Sequence, residues 1–171
     1  GHAFHGFMSK DQNETNYHSS LCMAETASIF NETVMFNELL NNVTEDQKIE
    51  LICNRLDDLF STIFRQVMYV DFEKKCHQSW LDGKPLSWED YNQLWFEGIQ
   101  ELYGDSINLN QEQQQYGWMT IPHIYHTPFY CYAYSFGNIL SLNVYEGYIQ
   151  SKDKEEYMTM YKSFLKLGGS K

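Results

Sequence analysis

Proline is scarce in this 171-residue sequence. Only Pro85, Pro122 and Pro128 occur, so ring-imposed breaks fall in two places and long helices are allowed elsewhere. Strand signals are missing too, because no stretch sustains apolar–polar alternation. Basic residues are few: 12 Lys and Arg stand against 23 Asp and Glu, a net charge of −11. Such a surface repels phosphate and argues against nucleic acid as a partner. No run of 18 uncharged apolar residues exists, so neither a membrane span nor a membrane partner is expected. No secretory leader is recognisable at the start. The four cysteines, Cys22, Cys53, Cys76 and Cys131, lack the short spacing of a zinc knuckle or redox motif. They read as buried free thiols of a cytoplasmic protein.

What is plentiful is aromatic surface. Aromatics make up 16% of the chain, with 13 Tyr and 11 Phe, which suits wide helix–helix contacts or a large cleft. The pattern along the chain predicts an all-α fold. Residues 1–9 read as the end of a helix and 10–18 as a polar loop. Ser19 or Ser20 can cap a helix from about Leu21 to Leu40. Thr44 with Gln47 forms a capping box that opens a long helix, along which Ile49, Ile52, Leu56, Leu59, Ile63, Val67 and Val70 trace one apolar stripe. Ser87 caps a helix over about 88–103, stopped at Gly104. Residues 105–118 are polar and irregular, and Gly117 loosens the approach to the next segment. From Phe129 the chain reads as a buried helix, and a last helix runs from about Asp153 to Leu167 before Gly168 and Gly169.

Two constellations carry chemistry. His2 and His5 lie three residues apart on a helix, and Glu25 follows on a second one. Imidazole and carboxylate are both good zinc ligands, and two crossing helices can bring them to one ion. A His-x-x-His pair alone more often satisfies local hydrogen bonds. Glu25 weighs more, because a carboxylate among apolar residues needs a partner and a cation is the obvious one. Glu32, seven residues on, shares its face. It can orient a ligand His, or else form a salt bridge or lie exposed. The other constellation is His123 to Tyr134, which offers His123, Tyr125, His126, Tyr130, Tyr132 and Tyr134 on a loop feeding a helix. Phenol and imidazole groups suit stabilisation of a developing oxyanion, while tyrosines at helical spacing are equally often core. His18 and His77 read as surface or local hydrogen-bonding residues. The helix from Arg65 to Glu73 reads as scaffold, with Arg65 able to pair with a buried carboxylate.

These residues resemble, in order, the signatures of the thimet oligopeptidase and oligoendopeptidase F family of zinc metallopeptidases. Gly1-His2-Ala3-Phe4-His5-Gly6 is similar to the end of its His-Glu-x-Gly-His-x-x-His motif. Ala24-Glu25-Thr26-Ala27-Ser28 through Asn31-Glu32 is similar to its Ala-Glu-x-Ala-Ser-x-x-Asn-Glu segment. Phe64-Arg65-Gln66 and Ile121-Pro122-His123-Ile124-Tyr125 match two further segments, and the set lies closer to oligoendopeptidase F. The resemblance implies a zinc endopeptidase that cleaves internal bonds of short oligopeptides through a zinc-activated water. It makes His2 and Glu25 two ligands of one zinc ion, with His5 and Glu32 supporting. It makes His123 and Tyr132 the transition-state donors, assisted by Tyr125 or Tyr130. The first His ligand and the catalytic Glu would precede Gly1. Residues 1–171 are therefore expected to be a single partial catalytic domain, cut inside the zinc-binding helix and short of the C-terminal end. Such a piece would be inactive without the remaining part of the same polypeptide. The rival readings are a helical binding module that kept the fold and lost catalysis, and a related zinc carboxypeptidase.

Overall fold

The computed structural model describes residues 1–170, the side chain of Ala24 excepted. Its helices are α1 (His2–Met8), α2 (Glu14–Tyr17), α3 (Leu21–Ala24), α4 (Thr26–Leu40), α5 (Glu45–Leu59), α6 (Arg65–Leu81), α7 (Trp88–Tyr103), α8 (Gln111–Gln114), α9 (Pro122–His126), α10 (Tyr132–Gln150) and α11 (Lys154–Leu165). A π-helical turn occupies Phe60–Phe64 and a 3₁₀ turn Gly117–Thr120. Among the described residues there is no strand, so the fold is all-α as expected. No helix among them is long and apolar enough to cross a membrane.

Residues 1–58 with 133–170 form one compact unit, and residues 59–132 form another. In the first, local signals place the helix ends. Gln47 N–H donates to Thr44 Oγ1, and Thr44 N–H donates back to Gln47 Oε1 at 3.0 Å, which is the reciprocal box that satisfies two orphan amides. Asp153 caps α11 by accepting the Glu156 N–H at 2.9 Å. Ala27, Phe30, Tyr161 and Leu165 make the core, with the Phe30 and Tyr161 rings 4.5 Å apart. Gly168 takes the left-handed φ of 53° that ends the last helix, and Gly169 N–H then donates to Asn16 O at 2.8 Å.

Two expectations for this unit need correction. The helix read over 21–40 breaks at Glu25, between α3 and α4. The stripe along α5 is present but uncovered, since Ile49 and Leu56 stay more than 60% exposed. Periodicity identifies a face that can be buried; it does not say that this chain buries it.

In the second unit, Ser87 and Asp90 form a capping box at the start of α7, and Gly104 at φ 52° closes that helix. The core gathers Tyr69, Phe72, Trp95, Ile99 and Cys131. Tyr69 stacks on Trp95 at 5.3 Å, and Phe72 meets Trp95 edge-on at the same distance. Gly117 does not loosen the chain. A Cβ there would stand 2.7 Å from Trp95 Nε1, so the glycine lets the 3₁₀ turn lie against the indole. Arg65 donates to Ser61 Oγ in the π turn. Of the four cysteines only Cys131 is fully buried, and Cys53 is exposed, so the expectation of buried cysteines holds for one.

Burial, reinforced by the charge of Glu73, raises the Cys131 thiol from 9.0 to about 11. Burial likewise raises the Tyr161 phenol to about 12. Between these limits the unfolded chain releases protons that the folded chain keeps, so the stability these groups contribute is complete below about pH 9 and is lost as pH rises toward 11 and 12. Urea unfolding at pH 8 and pH 10.5 should show a loss of roughly 1–3 kcal/mol. Cys131→Ala should reduce that loss.

Candidate metal centre

Backbone crowding builds the first constellation. A side chain on Gly1 would collide with Ser28 Cα and Ala27 O, so only glycine allows the start of α1 to cross α4 at backbone contact. His5 N–H closes the first turn on Gly1 O at 2.9 Å. His2 is thereby carried to Glu25, with its Nε2 3.3 Å from Glu25 Oε2.

Glu25 is held from three sides. It sits at the α3–α4 break with φ −92° and ψ −7°, and its carbonyl accepts the Ile29 N–H at 3.0 Å. Ser28 Oγ donates to the carboxylate Oε2 at 3.0 Å. On the third side α10 approaches so closely that a Cβ on Gly137 would lie 2.8 Å from Glu25 Cβ. Deeper on the same helix, Ser141 Oγ donates to Thr26 O at 2.8 Å. The Glu25 side chain is only 8% exposed, while His2 is 65% exposed. A buried carboxylate therefore faces outward through an accessible imidazole.

This donor pair suits a zinc ion. Two ligand atoms each bonded to one tetrahedral zinc at its usual length stand about 3.3 Å apart, the separation of His2 Nε2 and Glu25 Oε2. Among the described residues no group of three or more His, Cys, Asp or Glu side chains gathers to complete such a site. The pair has the spacing of one edge of such a tetrahedron and no more.

The supporting residues divide. His5 is buried, and desolvation, followed by the nearby charge of His2, holds its pKa below the ordinary 6.5. With His2, Tyr17 and His18 it lines a cleft of ≈ 300 Å³. Tyr17 ends α2 and His18 caps it; the sequence there is polar, and nothing local signals that it folds back beside α1. Glu32 takes the salt-bridge alternative, pairing with Arg55 from α5.

The second constellation lies in the other unit. His123 and Tyr125 sit on α9, which Pro122 opens and Thr127 ends. Tyr130 folds back so that its ring stacks on His123 at 5.5 Å, with the planes 14° apart. Tyr132 begins α10, three residues later than the sequence suggests. His123, Tyr130 and Tyr132 are half-buried, and Tyr125 is 52% exposed. The stretch is thus a short helix and a turn that lead into α10, only partly buried.

A sequence profile of peptidase family M3 matches residues 1–171. The chain belongs to that family. Among M3 relatives, an oligoendopeptidase F homolog of Borreliella burgdorferi is 34% identical and aligns with 100% of this chain and 29% of its own length. The group B oligopeptidase PepB of Streptococcus agalactiae is 32% identical over 99% of this chain and 28% of its own. The oligopeptidase PepF of Bacillus subtilis is 28% identical over 99% of this chain and 25% of its own. A crystal structure from Chlamydophila abortus, with a provisional peptidase assignment, superposes with a TM-score of 0.80 at 32% identity, over 99% of this chain and 28% of that one. The oligoendopeptidase F resemblance is therefore upheld, and this M3 chain spans about a quarter to three tenths of the length of these relatives.

Gly137→Ala tests the packing around Glu25. The added methyl cannot be accommodated without shifting the Glu25 Cβ, so thermal unfolding should show a loss of roughly 1–3 kcal/mol. Gly147→Ala, on the same helix but against the terminal hydroxyl of Tyr157, should cost less.

Proposed function

We propose that the complete polypeptide is a zinc-dependent endopeptidase of short oligopeptides, acting in the cytoplasm. Residues 1–171 would form part of its catalytic domain, with the first His ligand and the general-base Glu belonging to the rest of the same polypeptide. The observation that carries this reading is the 3.3 Å approach of His2 Nε2 to Glu25 Oε2, in a chain that belongs to a peptidase family.

When bound, zinc would supply Lewis acidity to the scissile carbonyl and lower the pKa of the attacking water. This chain's residues would do the rest of their work as donors and anchors. His2 and Glu25 would hold the ion, and the Ser28 hydroxyl would fix the orientation of the Glu25 carboxylate. His5 and Glu32 would support the site indirectly, His5 through the packing of α1 and Glu32 through its tie to α5. His123 and Tyr132 would donate hydrogen bonds to the carbonyl oxygen as it gains charge. The His123 ring is already oriented by its stack on Tyr130, which limits the reorganisation needed. Tyr125, more exposed, would meet the peptide itself.

The full-length protein should cleave an internally quenched oligopeptide, lose that activity to a chelator and regain it with zinc. Glu25→Gln should lower kcat/KM by about 10³ or more, and Tyr132→Phe should lower kcat by roughly 10²-fold. The 171-residue chain alone should show no zinc-dependent cleavage. Chelator-resistant cleavage by the full-length protein, or undiminished turnover by the Glu25 variant, would refute the reading.

A further inference from the structure

Glu73 is a buried carboxylate that the proposed chemistry leaves unused. It lies on α6, 1% exposed. Its Oε1 accepts the backbone N–H of Phe129 at 2.9 Å, across 56 residues of chain. Its Oε2 is buried with no hydrogen-bond partner. A carboxylate is costly to bury, so one that reaches a single backbone amide marks a place where the backbone must be held.

Phe129 is such a place. It is the non-glycine residue with positive φ among the described residues, at 61°, a conformation that crowds an L side chain. The local sequence leaves little alternative. Thr127 precedes a proline and takes an extended φ of −147°, which ends α9. Pro128 has no N–H to offer. Thr127 N–H is already committed to His123 O at 2.9 Å, and Tyr130 N–H to Thr127 O at 3.0 Å. The Phe129 amide is left over, pointing inward, and Glu73 accepts it. The reversal at Phe129 carries the Tyr130 ring back over His123 and sets where α10 starts at Tyr132. The Phe129 ring itself packs on His77 at 4.9 Å.

We infer that Glu73 is a positioning residue, whose carboxylate clamps the left-handed turn at Phe129 and so fixes the relative placement of His123, Tyr130 and Tyr132. The catalytic consequence rests on the role proposed for His123 and Tyr132; the clamp itself does not.

The clamp is read first in the unmodified chain by amide hydrogen exchange. The Phe129 amide should exchange at least tenfold more slowly than an unprotected loop amide. Exchange at the unprotected rate would overturn the inference without any variant. Glu73→Met keeps the side-chain volume and removes the acceptor, so protection should be lost at 127–132 and kept in α4 and α11. Glu73→Gln keeps an acceptor and should retain protection at Phe129, although its amide group enters the unpartnered Oε2 position. In the full-length protein, Glu73→Met should lower kcat about tenfold or more with KM changed less than threefold, and Glu73→Gln should stay within about threefold of wild type. Adding Phe129→Gly, which adopts the turn without a clamp, should recover part of the lost kcat. Equal damage from Met and Gln, or an unchanged Phe129 amide in Glu73→Met, would overturn the clamp. A wild-type protein without peptidase activity would instead remove the function reading while leaving the exchange result to stand.

Discussion

A carboxylate taken out of water is the constraint around which the first unit is arranged. An isolated ionised carboxylate is very costly in an apolar interior, so Glu25 is tolerable only where donors converge on it. The convergence is achieved by removing side chains. Glycines at positions 1 and 137 let α1 and α10 close on the α3–α4 junction at distances a Cβ would forbid. The helix break at Glu25 belongs to the same solution, because α10 presses against the backbone there. Stability and site geometry are thus coupled. Whatever loosens these helix crossings also releases the side chain that would bind metal.

The second unit repeats this logic with a different outcome. Glu25 and Glu73 are the buried carboxylates among the described residues. Both sit beside irregular backbone, one at a helix junction and the other under a left-handed turn. Glu25 meets the Ser28 hydroxyl and the His2 imidazole. Glu73 turns inward to a single amide and raises two thiols around it, Cys76 and Cys131, by adding its charge to their burial. Accessibility of the partner separates a candidate ligand from a structural clamp. The His2 imidazole is largely exposed, whereas the Phe129 amide is committed to Glu73 in a partly buried bond.

Much of this was legible in the sequence because the signals are local. The capping box at Thr44 and the cap at Ser87 depend on residues within one turn, and both form where the sequence places them. Glu25 stood out because it is a charge in an apolar run. The ordered motifs from Gly1 to Tyr125 carried the family. What was not legible depends on distant chain. The break at Glu25 needs α10, more than a hundred positions later. The role of Glu73 needs Phe129, which no helical or strand period links to it. The stripe from Ile49 to Val70 reads as one apolar face, yet whether it is covered depends on what lies opposite, and periodicity is silent on that. Glu32 illustrates the same limit, since its spacing allows a supporting role or a salt bridge and Arg55 decides.

Identity and activity therefore rest on different quantities. Family membership follows from backbone and motif order over the whole chain, and a TM-score of 0.80 at 32% identity is insensitive to a few missing side chains. Hydrolysis depends on a complete set of groups acting together, and such sets lose most of their effect when one member is absent. His2 and Glu25 stand at the right separation for an edge of a zinc tetrahedron, held there by contacts within their own unit. His123 is oriented by Tyr130 and by a turn that Glu73 secures, also within its own unit. Each constellation is thus ordered by contacts within its own unit. Preorganised donors lower the cost of assembling a reactive centre, so the contribution proposed for this chain is to fix two partial geometries.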